Sequence, residues 1–316
     1  MAVGEAQKTI AVTARPSRTA LQNKQTQLAW LLLAPTVVVI LFVAAYPLGR
    51  TFYDSFTDAA FGYTAHFIGW TNYYNLLHDV QFRETVKETF KFTIITVVFE
   101  FVLGMAIALV VNSQFRGRGA LRAAMLVPWA IITVVNAQMW KLMLNDTYGV
   151  FNDVLQRVHW PGAPFSFTSD PTLSLAAVCA IDIWKTTPFV ALLLLAGLQV
   201  IPGDLYEAAD VDGANKWQQF WRITLPLLRP AILVTLIFRT MDALRVFDVF
   251  YVLFGAAPCI PGNCKQSMAV YNQENIVSFA SSPGALGYGA AISVAIFIIL
   301  AIVIAIYIRA IPLETS

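Results

Sequence analysis

The chain has 316 residues, 58% hydrophobic and only 13% charged, against roughly one quarter charged in an ordinary soluble domain. A net charge of +2 gives no electrostatic case for nucleic acid, and three cysteines are too few for a disulfide-built scaffold. His66, His78 and His159 lack metal-ligand spacing, and the sequence contains no Gly-rich loop ending in Gly-Lys-Ser/Thr, so any ATP used would be hydrolysed by another chain.

Residues 1–27 are polar, contain Pro16 and show no apolar periodicity, which predicts a mobile tail. A bilayer core needs about 20 apolar residues in a helix, and six segments qualify. The first, 28–46, carries no charge; its length and the lack of a small-x-small cleavage site predict an uncleaved span. An aromatic-rich stretch follows, and then Phe82, Val86 and Phe90 recur every four residues among Arg83, Glu84, Lys87, Glu88 and Lys91. That pattern predicts an interfacial surface helix without a specific partner, leading into a second span, 92–111, whose only charge is Glu100.

A short basic turn, 112–122, contains Arg116-Gly117-Arg118-Gly119, suited to setting topology or meeting anionic lipid. The third span is 123–140, uncharged. Pro161, Gly162 and Pro164 mark 145–171 as a loop with at most short helices. The fourth span, 173–198, holds Asp182 and Lys185, and the fifth, 231–254, holds Arg239, Asp242, Arg245 and Asp248. Cys259 and Cys264 flank a short loop and are equally readable as a disulfide or as two free thiols, whereas Cys179 within the fourth span reads as a small packing residue. The sixth span, 286–308, is uncharged. The expected fold is therefore an all-α integral membrane protein of six helices. With the N-terminus inside, Lys8, Arg15, Arg18, Lys24, Arg116, Arg118, Arg122, Lys216, Arg222, Arg229 and Arg309 face the cytoplasm and fewer basic residues face out, so both termini are expected to be cytoplasmic.

The connector 199–230 is too structured for a plain link. Leu205-Tyr206-Glu207-Ala208-Ala209 favours a short helix, Asp212-Gly213 a turn, and Trp217, Phe220 and Trp221 line one face of a second helix, a shape suited to docking in another protein's groove or lying on lipid headgroups. Its spacing of Glu207-Ala208-Ala209, three residues, Gly213, nine residues and Ile223-Thr224-Leu225-Pro226 resembles the "EAA" loop of binding-protein-dependent ABC importer permeases, in particular the carbohydrate branch similar to the maltose transporter. Further matches are Trp70-Thr71-Asn72-Tyr73, Pro128-Trp129, Trp140, Gly149-Val150-Phe151-Asn152, Ile183-Trp184-Lys185, Pro188-Phe189, Phe247-Asp248 and Gly287-Tyr288; the sequence departs from the family after the fifth span, where Phe254-Gly255-Ala256-Ala257-Pro258 replaces a usual Thr-x-Gly-Gly-Pro.

The resemblance implies a MetI/MalF-like type I importer fold. It makes Glu207, Ala208, Ala209, Asp212, Gly213, Ile223, Leu225 and Pro226 the element coupled to a cytosolic ABC ATPase dimer, which would hold the ATP and Mg. It further implies a second homologous permease subunit, an extracytoplasmic sugar-binding protein or lipoprotein, residence in a bacterial cytoplasmic membrane, and inward passage of a sugar, a disaccharide such as trehalose or maltose. By similarity, the substrate-contacting positions are Trp129 and Thr133 on the third span, Asp182, Thr186 and Phe189 on the fourth, and Arg239, Asp242, Ala243 and Val246 on the fifth.

The charges themselves give an independent reason to look there. A central Arg or Asp costs about 2.5–3.5 kcal/mol on insertion scales, and Arg239, Asp242, Arg245 and Asp248 alternate in sign at a spacing of three, so that neighbours can pair along one stripe. Interhelical ion pairs that fix the bundle and a polar translocation lining both fit this pattern. Two further functions stand beside the importer: an ion- or proton-coupled secondary transporter using the same acids, and a membrane enzyme, for which no nucleophile with a positioned base is visible.

Overall fold

The computed structural model describes residues 21–113, 115–257, 259–278 and 282–310. Most of the predicted N-terminal tail lies outside them. Among the described residues the chain is helical, with no strand beyond the isolated bridges Thr57–Phe67 and Ile260–Asn263. It divides into two compact units, residues 1–50 and 51–316. In the first, α1 (Leu21–Ile40) runs through a π-helical turn, Leu41–Ala45, into the start of α2 (Tyr46–Asp54), whose residues from Thr51 on belong to the second. From Leu28 to Tyr46 it is apolar around its whole circumference, as a helix bathed in hydrocarbon is.

The second unit opens with an aromatic knot in which Phe56 meets Phe67, Trp70 and Tyr73. Here α3 (Thr71–His78) delivers the Asn72 amide to the carbonyls of Ser55 and Thr57, 2.9 Å each. Asp79 then caps α4 (Val80–Asn112), accepting from the N–H groups of Gln81 and Phe82. The predicted surface helix is thus the first third of one 33-residue helix, and it is not unpartnered. Phe82 packs with Leu76, Tyr271 and Ile292, while Val86 and Phe90 meet Met268 and Leu300, because later elements fold over this face.

The third predicted span is not straight. α5 (Arg118–Ala130) and α6 (Thr133–Met143) meet at 84°, with Ile131 and Ile132 extended between them. A run of β-branched residues, Ile131 to Val135, begins at the break and weakens helix continuation there. α7 (Val150–Arg157) is the short helix of the following loop, where Asn152 exchanges hydrogen bonds with the Phe165 backbone. α8 (Pro171–Leu198) starts from an Asp170 cap with Pro171 at its first position. It packs along α4 so closely that a Cβ on Gly104 would stand 2.6 Å from Cγ1 of Val190.

α9 (Asp204–Val211), α10 (Lys216–Gln219), a π-helical turn at Phe220–Thr224 and α11 (Leu225–Leu227) form the connector. The chain bends by 67° before α12 (Arg229–Leu244), where Pro226 and Pro230 remove backbone donors. α12 ends at Leu244, and α13 (Asp248–Phe254) resumes after three non-helical residues, so the fifth segment is also interrupted. α14 (Met268–Gln273), capped by Ser267, and a π-helical turn, Glu274–Ser278, precede α15 (Ala285–Ala310). By length and composition, four helices can cross a membrane, or up to six if each bent pair is one span.

Candidate functional site: a charged cluster at two broken helices

Two of the apolar clusters in the second unit are shared by α4, α8 and α12. One is built on Phe92 and Val97 of α4, Val178 and Ile181 of α8 and Ala243 of α12. The other takes Met105 and Ala108 from α4, Val190 and Leu194 from α8, and Ile232 from α12. Between the two clusters each of the three helices carries one of the ionic residues Glu100, Asp182 and Arg239. Apolar layers lie along the helices to either side of a polar one.

Arg239 organises that layer. It is 2% exposed, and its guanidinium bonds both carboxylate oxygens of Glu100, which is wholly buried, together with Oδ2 of Asp182 and, at 2.7 Å, Oδ2 of Asp242. The planar five-donor fork of arginine makes this three-way arrangement possible, which a lysine ammonium could not reproduce. The Thr186 hydroxyl reaches Oδ1 of Asp182 at 3.5 Å. Three carboxylates surround one guanidinium, and Asp242 keeps 73% of its side chain accessible.

The expected stripe of alternating pairs is realised only once, between Arg239 and Asp242. α12 stops at Leu244, so Arg245 and Asp248 leave the helical register and neither forms an ion pair among the described residues. Lys185 is buried on α8 but likewise does not pair with Asp182 in the structure. Glu100 is the partner that local spacing could not supply, since it sits 139 residues from Arg239. Its isolation in an apolar run was the available signal.

Beside the cluster, at the interruption of the fifth segment, lies a cavity of about 130 Å³ lined by Thr133, Asp182, Arg239, Asp242, Ala243 and Val246, with Arg245, Phe247, Asp248 and Val249 completing its wall. Thr133 is the first residue after the break between α5 and α6, so both helix breaks open on this cavity. Trp129 and Phe189 do not line it. Their rings stack on one another at 5.6 Å and 9°. Asn136, one turn beyond Thr133, is wholly buried with neither side-chain atom partnered, and Trp140 Nε1 is also unsatisfied. Trp140 is marked in the sequence only as a family match, and Asn136 carries no signal there. Among the described residues no group of His, Cys, Asp or Glu is arranged to hold a metal ion.

The connector's geometry is set by Asp210, another residue not singled out in the sequence. It accepts from Lys216 Nζ at 2.9 Å and from Gln219 Nε2, whose side chain is buried. These bonds hold the Asp210 carboxyl below its ordinary pKa, the Lys216 bond contributing most. Gly213 turns the chain at φ +78°, a conformation L side chains rarely adopt, and Asn215 and Gln218 form a reciprocal capping box at the start of α10. Glu207, Ala208, Asp212 and Gly213 are exposed, Ala209 is buried, and Ile223, Leu225 and Pro226 are half-buried. Tyr206 ties α9 to Thr224 at 2.9 Å.

Beside the opposite ends of α4 and α8, in the segment between α13 and α14, Cys259 and Cys264 are disulfide-bonded, and Lys265 donates to the carbonyls of Thr168 and Ser169. Pro258, in the stretch that departs from the family pattern, lies outside the described residues. Asp79, besides capping α4, accepts from the hydroxyls of Tyr271 and Tyr288, joining three elements. Burial pushes its carboxyl up, but the two phenols and two backbone N–H groups together outweigh this and hold it below the usual carboxylate range.

Ionic groups kept inside a bundle of apolar helices, next to a polar cavity, mark a membrane transport protein. The chain belongs to the binding-protein-dependent transport system inner membrane component family, whose model matches residues 100–311. Its relatives include the trehalose/maltose transport system permease protein MalF of Thermococcus litoralis, 39% identical over 92% of this chain and 95% of that protein. The sulfoquinovosyl glycerol transport system permease protein SmoG of Agrobacterium fabrum is 41% identical over 89% of each. The trehalose transport system permease protein SugA of Mycobacterium tuberculosis is 37% identical over 94% of this chain and 92% of that one. Among solved structures, a chain of a bacterial alginate ABC transporter in complex with an alginate pentasaccharide-bound periplasmic protein superposes with a TM-score of 0.75, covering 92% of this chain and 96% of its own length at 23% identity, a likeness of fold.

Proposed function

We propose that this chain is one permease subunit of an ATP-driven importer, resident in a bacterial cytoplasmic membrane, and that it moves a sugar inward by alternating access. The observation that carries the reading is the cavity at the two helix breaks, where Thr133, Asp182, Arg239, Asp242, Ala243 and Val246 meet. A sugar is held by directional hydrogen bonds, and the cavity wall offers the Thr133 hydroxyl, the carboxylates of Asp182, Asp242 and Asp248 and the guanidiniums of Arg239 and Arg245. Its volume of about 130 Å³ is below the roughly 300–1,000 Å³ of a complete small-molecule pocket. A second homologous permease subunit supplies the other wall.

Glu207 to Gly213, with Ile223, Leu225 and Pro226 behind them, form the lever seated in a cytosolic ATPase dimer that holds the ATP and Mg. The exposed Val211 and Glu207 on the short helix α9 suit insertion in a cleft. An extracytoplasmic sugar-binding protein or lipoprotein delivers cargo at the other end, and the relatives that transport trehalose and maltose favour a disaccharide. Both termini are cytoplasmic in this scheme, and the chain itself is not an enzyme.

The test is uptake of labelled trehalose and maltose by vesicles holding the assembled transporter. Uptake should require the ATPase subunit and internal ATP, and should survive a proton uncoupler. Uptake that collapses with the uncoupler and ignores ATP would establish the ion-coupled alternative instead.

A further inference from the structure

Where the ends of α4 and α8 meet the connector, two cavities lie side by side. One, of about 380 Å³, is walled by Arg118, Arg122, Gln199 and the backbone around Gly203. The other, of about 710 Å³, is walled by Leu109, Trp217 and Phe220, with Lys216 at its edge. Asn112, Leu198 and Tyr206 line both, so the two form one groove with a basic lobe and an apolar, aromatic lobe. Among the described residues no carboxylate lines either lobe.

Within the basic lobe the cations are only partly used. Arg122 gives one bond, from its guanidinium to the Val111 carbonyl at 3.2 Å, and its Nε is buried without a partner. Arg118 is exposed and bonds to nothing among the described residues. Lys216 is already engaged by Asp210 and Gln219. The groove therefore presents two underused guanidiniums, next to an indole and a phenol, at the level where two membrane-length helices end at Asn112 and Leu198. Cationic groups at a helix end, amphipathic rings and an adjoining apolar slot match a phosphodiester headgroup with its acyl chain attached.

We infer that this groove is a binding site for an anionic phospholipid, with the phosphate held by Arg118 and Arg122 and the acyl chain laid along Leu109, Leu198 and Phe220. Tyr206 belongs to the groove and to the connector at once, so an occupying lipid braces α9 against the basic turn. The lipid acts as a positioning ligand for that helix.

The experiment titrates the full-length chain in mild detergent with phosphatidylglycerol, with phosphatidylcholine of the same acyl chains, and with glycerol phosphate, reading bound lipid by native mass spectrometry. Saturable binding of one phosphatidylglycerol, undisturbed by glycerol phosphate and not matched by phosphatidylcholine, is the expected result. A basic group near a lipid surface contributes about fivefold in affinity, so R118Q/R122Q should weaken binding on the order of 25-fold, and R118K/R122K should stay within about fivefold of the native chain. Should the double glutamine variant fail to fold, R118Q alone, at an exposed position, should lose about fivefold. Equal binding of the two lipids, native affinity in R118Q, or full displacement by glycerol phosphate would each overturn the assignment, the last by making it a free-anion site.

Discussion

Replacing Arg239 by methionine keeps side-chain length and apolar volume but removes the only cation that, among the described residues, bonds Glu100 and Asp182, which are 0% and 8% exposed. Glu100 cannot turn to water without dismantling the contact between α4, α8 and α12, and Asp182 reaches only the small cavity it lines. Breaking a buried ion pair by deleting one partner costs about 3–5 kcal/mol. At roughly 2–4 °C per kcal/mol for a large domain, the thermal midpoint of the purified chain in detergent should fall by about 6–20 °C. The partners should grade by exposure. E100Q keeps an acceptor for the guanidinium and removes one of three crowded negative charges, so its cost should be well below that of R239M. D242N touches a side chain that is 73% exposed and should change stability by less than about 1 kcal/mol. Combining E100Q with R239M should recover part of the R239M loss, since one stranded charge disappears. An R239M midpoint within about 2 °C of native, or a double variant no better than the single, would show that the cluster is not the electrostatic unit described above.

Two further outcomes follow from the connector and the Asp79 latch. G213P forces φ to about −65° where the chain needs +78°, so ATP-dependent uptake should fall at least tenfold while the amount of membrane-inserted protein stays unchanged; intact uptake in that variant would remove the connector from the coupling path. Because Asp79 titrates below its unfolded value, its contribution to stability is complete above about pH 4 and disappears as the pH drops through the lowered folded value. D79N should therefore destabilise the chain at pH 7 and converge with native under strongly acidic conditions, and a stability gap that persists unchanged at low pH would exclude the ionised latch.

Hydropathy located the apolar segments because a bilayer imposes one length and one composition on every helix that crosses it. It could not see the breaks. Whether a chain may leave the helix at Ile131 or at Arg245 depends on what lies beside the freed backbone groups, which is a tertiary property. The same blindness applied to the ion pairs. Spacing along one helix suggested pairs of Asp182 with Lys185 and of Arg245 with its acidic neighbours, which are not formed among the described residues, while Arg239 bonds carboxylates on two other helices. Phe82, Val86 and Phe90 show the converse error: an amphipathic face looks the same whether lipid headgroups or α14 and α15 cover it. By contrast, Thr133, Asp182, Arg239, Asp242, Ala243 and Val246, marked by family resemblance, share one cavity, whereas Trp129 and Phe189 pair with each other outside it.

Stability alone does not account for the polar layer. A buried ion triad can usually be exchanged for well-packed apolar residues without loss, and here it sits between two apolar clusters that would simply merge if it were filled. What an apolar filling could not provide is a surface that bonds polar cargo halfway along the helices. Under the proposed function, the carboxylates clustered on Arg239 outnumber its guanidinium and leave acceptors for cargo hydroxyls, most openly on Asp242, while Glu100, wholly buried, holds Arg239 in place. Under the proposed alternating access, α4 and α8 form the fixed side, because Gly104 seats α4 on Val190 with no room for a methyl group and such tight packing resists sliding. Movement then falls on the segments already interrupted, at 131–132 and 245–247, both of which open on the cavity. In that scheme a rearrangement at either break would change the shape of the cavity wall directly, and the connector would pull on one of them through the continuous path from Gly213 through α10, α11 and α12 to Leu244.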